Sequence, residues 1–157
     1  MSPDELAKMF QYNYYCLMKN LDGISEEESF FQPVPGGNCL NWVTGHILAT
    51  RNLIFFCLNK EPVLEESLAS RYKRGSEPIT EPQQGLPWDD LLNLLENSQE
   101  QLLTTIKNLS PQDLRRRELD DQETLAEKLI GLHFHEAYHV GQTGILRRLL
   151  GKEGAIH

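Results

Sequence analysis

Cysteine is scarce in the 157-residue chain: Cys16, Cys39 and Cys57 are odd in number, far apart and form no CxxC pair. They read as buried thiols in a reducing compartment, not as a disulfide framework. Positive charge is also in short supply, with 15 Lys and Arg against 23 Asp and Glu for a formal net charge of −8. That is the wrong sign for embracing a phosphate backbone, so no nucleic acid partner is expected. The longest apolar stretch, Val43 to Leu58, is broken by His46, Arg51 and Asn52 and falls short of the roughly 18 uninterrupted residues of a membrane span. No membrane association is expected. The opening Met1-Ser2-Pro3-Asp4-Glu5 has neither the basic nor the apolar region of a secretory signal, which points to the cytoplasm. Alternating apolar runs bounded by Asn-Gly or Asp-Gly turns, internal repeats and glycine-rich phosphate loops are absent too.

What remains is an ordinary globular composition, 39% hydrophobic and 24% charged, sufficient for one domain over residues 1–157. A chain of this length buries roughly 70% of the surface that its unfolded form exposes and needs no metal to hold a core. Any metal would therefore serve function.

The patterning is helical throughout. Ser2-Pro3-Asp4-Glu5 combines an N-cap serine, a proline at the first helical position and a glutamate at the third. Leu6, Met9, Phe10, Asn13, Leu17 and Leu21 follow at spacings of three and four before Gly23, which predicts a helix over 3–21. The segment Pro33 to Gly37 cannot continue a helix, and Asn38 is a candidate N-cap for a second helix over about 39–59. Residues 60–87 carry Pro62, Pro78, Pro82, Gly75 and Gly85 among few apolar residues. This is too long for a tight hairpin and reads as a crossover between opposite ends of the domain. A third helix begins at Pro87 and runs through Leu91, Leu95, Gln99, Leu102 and Ile106. Ser110 opens a short capped turn through Arg117, and the longest helix runs from Glu123 to Leu150 with Gly151 as its stop. The fold class is all-α: a four-helix bundle with one long crossover connection.

Histidine is where chemistry can concentrate. His135 and His139 stand four apart on the last helix, one turn above the other on one face. His139 falls among Leu125, Leu129, Leu132, Thr143, Leu146 and Leu150, with His135 at the edge of that stripe. On the second helix, His46 flanks a seam of Val43, Ile47, Thr50 and Ile54. Spacing allows two readings: the three imidazoles share a divalent ion with a coordination position left open, or they are an accident of core and surface.

Trp42-Val43-Thr44-Gly45-His46-Ile47 and His135-Glu136-Ala137-Tyr138-His139-Val140-Gly141-Gln142 resemble the paired motifs of the DinB/YfiT family of metalloenzymes, and Leu146-Arg147-Arg148-Leu149-Leu150-Gly151 fits as well. The likeness in helix order covers nearly the whole chain. It implies a four-helix bundle with His46, His135 and His139 in the three metal-ligand positions, and a kinship with thiol-dependent S-transferases and a mycothiol-dependent isomerase. A low-molecular-weight thiol is then a possible co-substrate beside the metal. Imidazole suits zinc, nickel, copper and iron, with zinc or nickel foremost.

His135 to His139 also spells HExxH, the zincin protease pattern, which needs a third ligand downstream. Only Glu153 and His157 are available there, so a protease is not expected. Glu136 is a candidate catalytic base or ligand orienter, with pairing to a neighbouring cation as its alternative. Gln142, Tyr138 and Trp42 are candidate pocket residues, each with packing as its alternative, while His133 points away from His135. Arg71 to Arg74 and Arg115 to Arg117 read as solvated surface, with attraction of an anionic thiol cofactor as the alternative. A second apolar stripe, Ile130, Phe134, Ile145 and Leu149 with Tyr138 between, is expected either to lie under the crossover or to form a homodimer. The homodimer is favoured. The expected partner at the metal is a small-molecule substrate, processed by hydrolysis or S-transfer, against the alternative of a bundle that binds a small molecule or partner without turnover.

Overall fold

The computed structural model describes residues 1–33, 37–117 and 122–156, and those residues are all helix, turn and coil. Helix α1 spans Pro3–Leu21, α2 Glu26–Ser29, α3 Leu40–Cys57, α4 Glu66–Ala69, α5 Trp88–Lys107, α6 Pro111–Leu114 and α7 Leu125–Leu149. Local chemistry sets most of the starts. Ser2 Oγ accepts from the Glu5 N–H at 3.2 Å while the Glu5 carboxylate accepts from the Ser2 N–H at 2.6 Å. Equivalent reciprocal caps open α2 at Ser25, α6 at Ser110 and α7 at Thr124. The bond to the Ser2 backbone N–H holds the Glu5 carboxyl below its ordinary range, and the Thr124 N–H does the same for Glu127.

Three boundaries differ from expectation. The N-cap of α3 is Cys39, whose sulfur accepts from the Trp42 N–H at 3.5 Å. Asn38 is exposed, whereas Cys39 and Leu40 are buried, so tertiary burial moves the start by one residue. The same helix stops at Cys57, since Asn59 turns to φ +55. Helix α7 begins two residues later than Glu123, because Thr124 is its cap, and ends at Leu149 with Gly151 at φ +77.

The crossover carries structure that the sequence reading did not assign. It is structured, with α4 followed by 3-10 turns at Ser70–Tyr72 and Pro82–Gln84, and it buries Leu64, Ala69, Tyr72 and Ile79. Asn52 on α3 staples its beginning, accepting from the Val63 and Leu64 N–H groups and donating to the Leu64 carbonyl. Isolated apolar residues among polar ones leave no period to read, which is why this packing is invisible in the sequence.

The four long helices pack as a bundle in which α1 and α3 each border both α5 and α7. Asn13 and Asn20 of α1 hydrogen-bond the His133 and Val140 carbonyls of α7, so those helices run parallel. Asn41 bonds the Leu86 carbonyl just before α5, and Arg51 meets Leu95, Ser98 and Gln99, so α3 and α5 are parallel as well. Two consecutive parallel helices require a chain that returns along the bundle, which is the end-to-end crossover expected. Of the cysteines only Cys39 is buried; Cys16 and Cys57 are half-buried, and none of the three is in a disulfide. No described helix is long and apolar enough to cross a membrane.

Two apolar clusters fill the interior, one around Leu17, Val43, Ile47, Trp88, Leu95 and Leu146, the other around Leu6, Phe10, Ile54, Phe55, Leu102 and Leu129. Arg51 lies between them in the sequence of α3 and is fully buried. Its guanidinium pairs with Glu136 of α7 (Nε–Oε2 3.0 Å, Nη2–Oε1 3.3 Å) and donates to the Leu95 carbonyl, Ser98 Oγ and Gln99 Oε1 of α5. The Gln99 amide donates onward to the Phe10 carbonyl. One charged layer thus joins all four long helices.

Candidate metal centre

Antiparallel packing of α3 against α7 brings together histidines 89 residues apart. His46 Nε2 lies 3.4 Å from His135 Nε2, which lies 3.3 Å from His139 Nε2. The three ligand atoms are all within 4.8 Å of one another. His46 and His139 are each 8% exposed, and His135, half-buried, is the member nearer solvent.

The other ring nitrogens explain which way the lone pairs face. His46 Nδ1 lies 2.5 Å from the Tyr72 carbonyl. A carbonyl only accepts, so Nδ1 carries the proton and Nε2 presents a lone pair to the cluster. His139 Nδ1 lies 2.8 Å from Gln142 Oε1, with the same consequence. His135 Nδ1 is buried without a partner. Burial lowers the pKa of all three, the Tyr72 hydrogen bond opposing it at His46 and the Gln142 bond at His139, where the value is still pushed down to about 4. All three rings are therefore neutral at pH 7 and competent as ligands.

This arrangement fits a divalent ion. With His46 and His139 protonated at Nδ1, only His135 can put a proton between the three facing nitrogens, and it can serve only one neighbour. Nitrogens at about 2.0–2.1 Å from a tetrahedral metal stand about 3.3–3.4 Å apart, the separations His135 makes with its two neighbours. Three imidazoles leave a fourth position open, and imidazole donors suit several divalent metals.

The expected pocket residues divide. Gln142 orients His139 through the bond just described. Trp42 stacks on the His46 ring (centroids 4.7 Å, interplanar angle 13°) and donates its indole N–H to Ser76 Oγ at 2.9 Å. Tyr138 is 60% exposed and meets the His139 ring edge-on at 5.2 Å. Glu136 does not join the histidines as a ligand: both of its oxygens are engaged by Arg51, the cation pairing that was its alternative. His133 packs edge-on against Phe10, away from the cluster. Glu153 is exposed, and His157 lies outside the described residues.

Three contributors escaped the sequence reading. Arg51 counted only as a break in an apolar stretch. Tyr72 sat in a run assigned to solvated surface, yet it is fully buried while Arg71, Lys73 and Arg74 are exposed. Gly45 carried no signal beyond its place beside His46. Next to Gln142, a groove of about 360 Å³ runs between Pro33, Val43, Ile145, Leu146 and Leu149.

No curated protein matches the chain closely enough to count as a relative. The family model of the DinB superfamily matches residues 10–143, a span that includes all three histidines. With a helical bundle and a three-histidine cluster able to hold a metal, the chain belongs to the DinB superfamily.

Proposed function

We propose that the protein is a metal-dependent enzyme that activates a water molecule or a thiol for hydrolysis of, or S-transfer to, a small-molecule substrate. The observation that carries this reading is the convergence of three neutral Nε2 atoms from two helices. His46, His135 and His139 would hold the ion, zinc or nickel. Such an ion supplies Lewis acidity, lowering the pKa of a water or thiol admitted to its open position. The chain's own part is to keep the donors oriented and the surroundings dry. The Tyr72 carbonyl and Gln142 Oε1 fix two imidazoles, and Trp42 covers one face of His46. Glu136, both of whose oxygens are bound to Arg51, ties α7 to α3.

Elemental analysis of protein purified without a histidine tag tests this reading, beside the variant with His46, His135 and His139 all changed to alanine. Near-stoichiometric zinc or nickel is expected in the first and none in the second. A wild-type protein that is empty and refuses both ions would overturn the metalloenzyme and favour a binding bundle.

The same reading takes the protein to be a homodimer of the cytoplasm. Ile130, Phe134, Ile145 and Leu149 are 39%, 71%, 62% and 53% exposed on one side of α7, so the crossover does not cover them. A second copy about a two-fold axis would. Light scattering at micromolar concentration is expected to give twice the 18.0 kDa chain mass, and Ile145→Lys to give the monomer; a wild-type monomer refutes the pairing.

A further inference from the structure

We infer that the crossover is a working part of the metal centre: the Tyr72 ring, seated on Gly45, delivers the Tyr72 carbonyl to His46 and thereby fixes the tautomer that turns Nε2 inward. The inference rests on the metal-centre reading for its purpose, but its geometry stands independently.

Glycine in the middle of a helix costs stability, and Gly45 is not at positive φ, so the backbone does not ask for it. Space does. A Cβ at position 45 would lie 2.2 Å from both Cδ1 and Cε1 of Tyr72, so ring and side chain cannot coexist there. The ring is held at its far end too. Its hydroxyl donates to Asn41 Oδ1 at 3.2 Å and accepts from the Leu86 N–H at 2.6 Å, and the Asn41 amide donates to the Leu86 carbonyl at 2.9 Å. Tyr72 is thus pinned between the first turn of α3 and the lead into α5, with its carbonyl on His46 Nδ1. A second grip lies four residues on, where Ser76 holds the indole that stacks on His46. The crossover therefore controls one edge of the His46 ring directly and one face through Trp42. Gly45 and Tyr72 are positioning residues: neither is a ligand, and both act through His46.

The test reads tautomer and metal affinity separately. In ¹⁵N-resolved NMR of the metal-free wild type, His46 is expected as the Nδ1–H form. Gly45→Ala, with helix content unchanged by circular dichroism, is expected to lose that preference and to weaken zinc binding about 10- to 100-fold, the usual cost of losing an outer partner of a ligand histidine. Tyr72→Phe keeps the ring and the carbonyl and is expected to retain both properties, although it loses the hydroxyl bonds. A Gly45→Ala protein with wild-type tautomer and zinc affinity overturns the inference and leaves the metal reading intact. A wild type that shows the Nδ1–H form yet binds no zinc or nickel overturns the metal reading and leaves the clasp. If Gly45→Ala does not fold, amide exchange on the wild type decides: zinc is expected to slow exchange of the Leu86 N–H, and zinc binding without such slowing overturns the inference.

Discussion

Arg51→Met is expected to lower the free energy of unfolding by about 3–5 kcal/mol, the cost of leaving one member of a buried ion pair uncompensated. The guanidinium is fully buried and Glu136 is 1% exposed, so no water is at hand to take over the abandoned carboxylate. Ser98 Oγ, Gln99 Oε1 and the Leu95 carbonyl lose a donor in the same step. For a chain of this size about 2–4 °C of melting temperature accompanies each kcal/mol, so a fall on the order of 10 °C is expected in a thermal melt. The double variant Arg51→Met with Glu136→Leu is expected to recover most of that loss, because removing both charges removes the desolvation penalty with them. A fall below about 1 kcal/mol for the single variant would mean that the charged layer is hydrated, and would refute its description as the tie between the four helices.

Changing His135 to leucine is expected to have opposite consequences with and without metal. Without it, His135 Nδ1 is a buried polar atom lacking a partner, a condition that costs about 1–3 kcal/mol, and its Nε2 faces two others at 3.3 and 3.4 Å. Leucine removes both burdens, so the metal-free variant should unfold at or above the wild-type denaturant midpoint. With zinc at a hundred times its dissociation constant, the wild type should gain about 2.7 kcal/mol and the variant nothing. The pair of melts, each with and without zinc, checks both signs. A variant that is equally destabilised in both conditions would show that His135 is a packing residue and that the cluster does not hold an ion.

The two experiments separate what the two polar layers do. Arg51 and Glu136 set the register of α3 against α7, and the histidines above them use that register. A ligand set drawn from two helices is only as good as the alignment of those helices, since imidazole ligands tolerate little displacement from about 2.0–2.1 Å. The fold accordingly spends its buried charge close to the candidate metal, with Glu136 beside His135 in the chain and three residues before His139.

How much of this could be read from the chain alone differs by residue. The start of α1 and the stop at Gly151 were legible, because a capping box or a left-handed glycine closes its hydrogen bonds within a few residues, whereas the Thr124 box that opens α7 escaped the reading and the expected start falls two residues early. The His135 and His139 pair was legible for the same reason: spacing of four fixes a shared face. His46 is a different case. Its place beside an apolar seam made it a candidate, but that its Nε2 meets those of α7 depends on the register of two helices whose histidines stand 89 residues apart in sequence, and spacing left that open. Arg51 shows the limit most plainly. In sequence it is a charge that interrupts an apolar run, and whether such a charge sits in water or in the core depends on a carboxylate 85 residues away. Tyr72 and Gly45 became meaningful only when the crossover folded back on α3. The sequence by itself determined the four long helices, their faces and the histidine pair, because those are set by contacts over one or two turns. Tertiary structure alone decided the partner of Arg51, the acceptor for His46 and the closure of the three-nitrogen site, because a buried charge or a ring tautomer is settled by whichever group lies within hydrogen-bonding distance once water has been excluded.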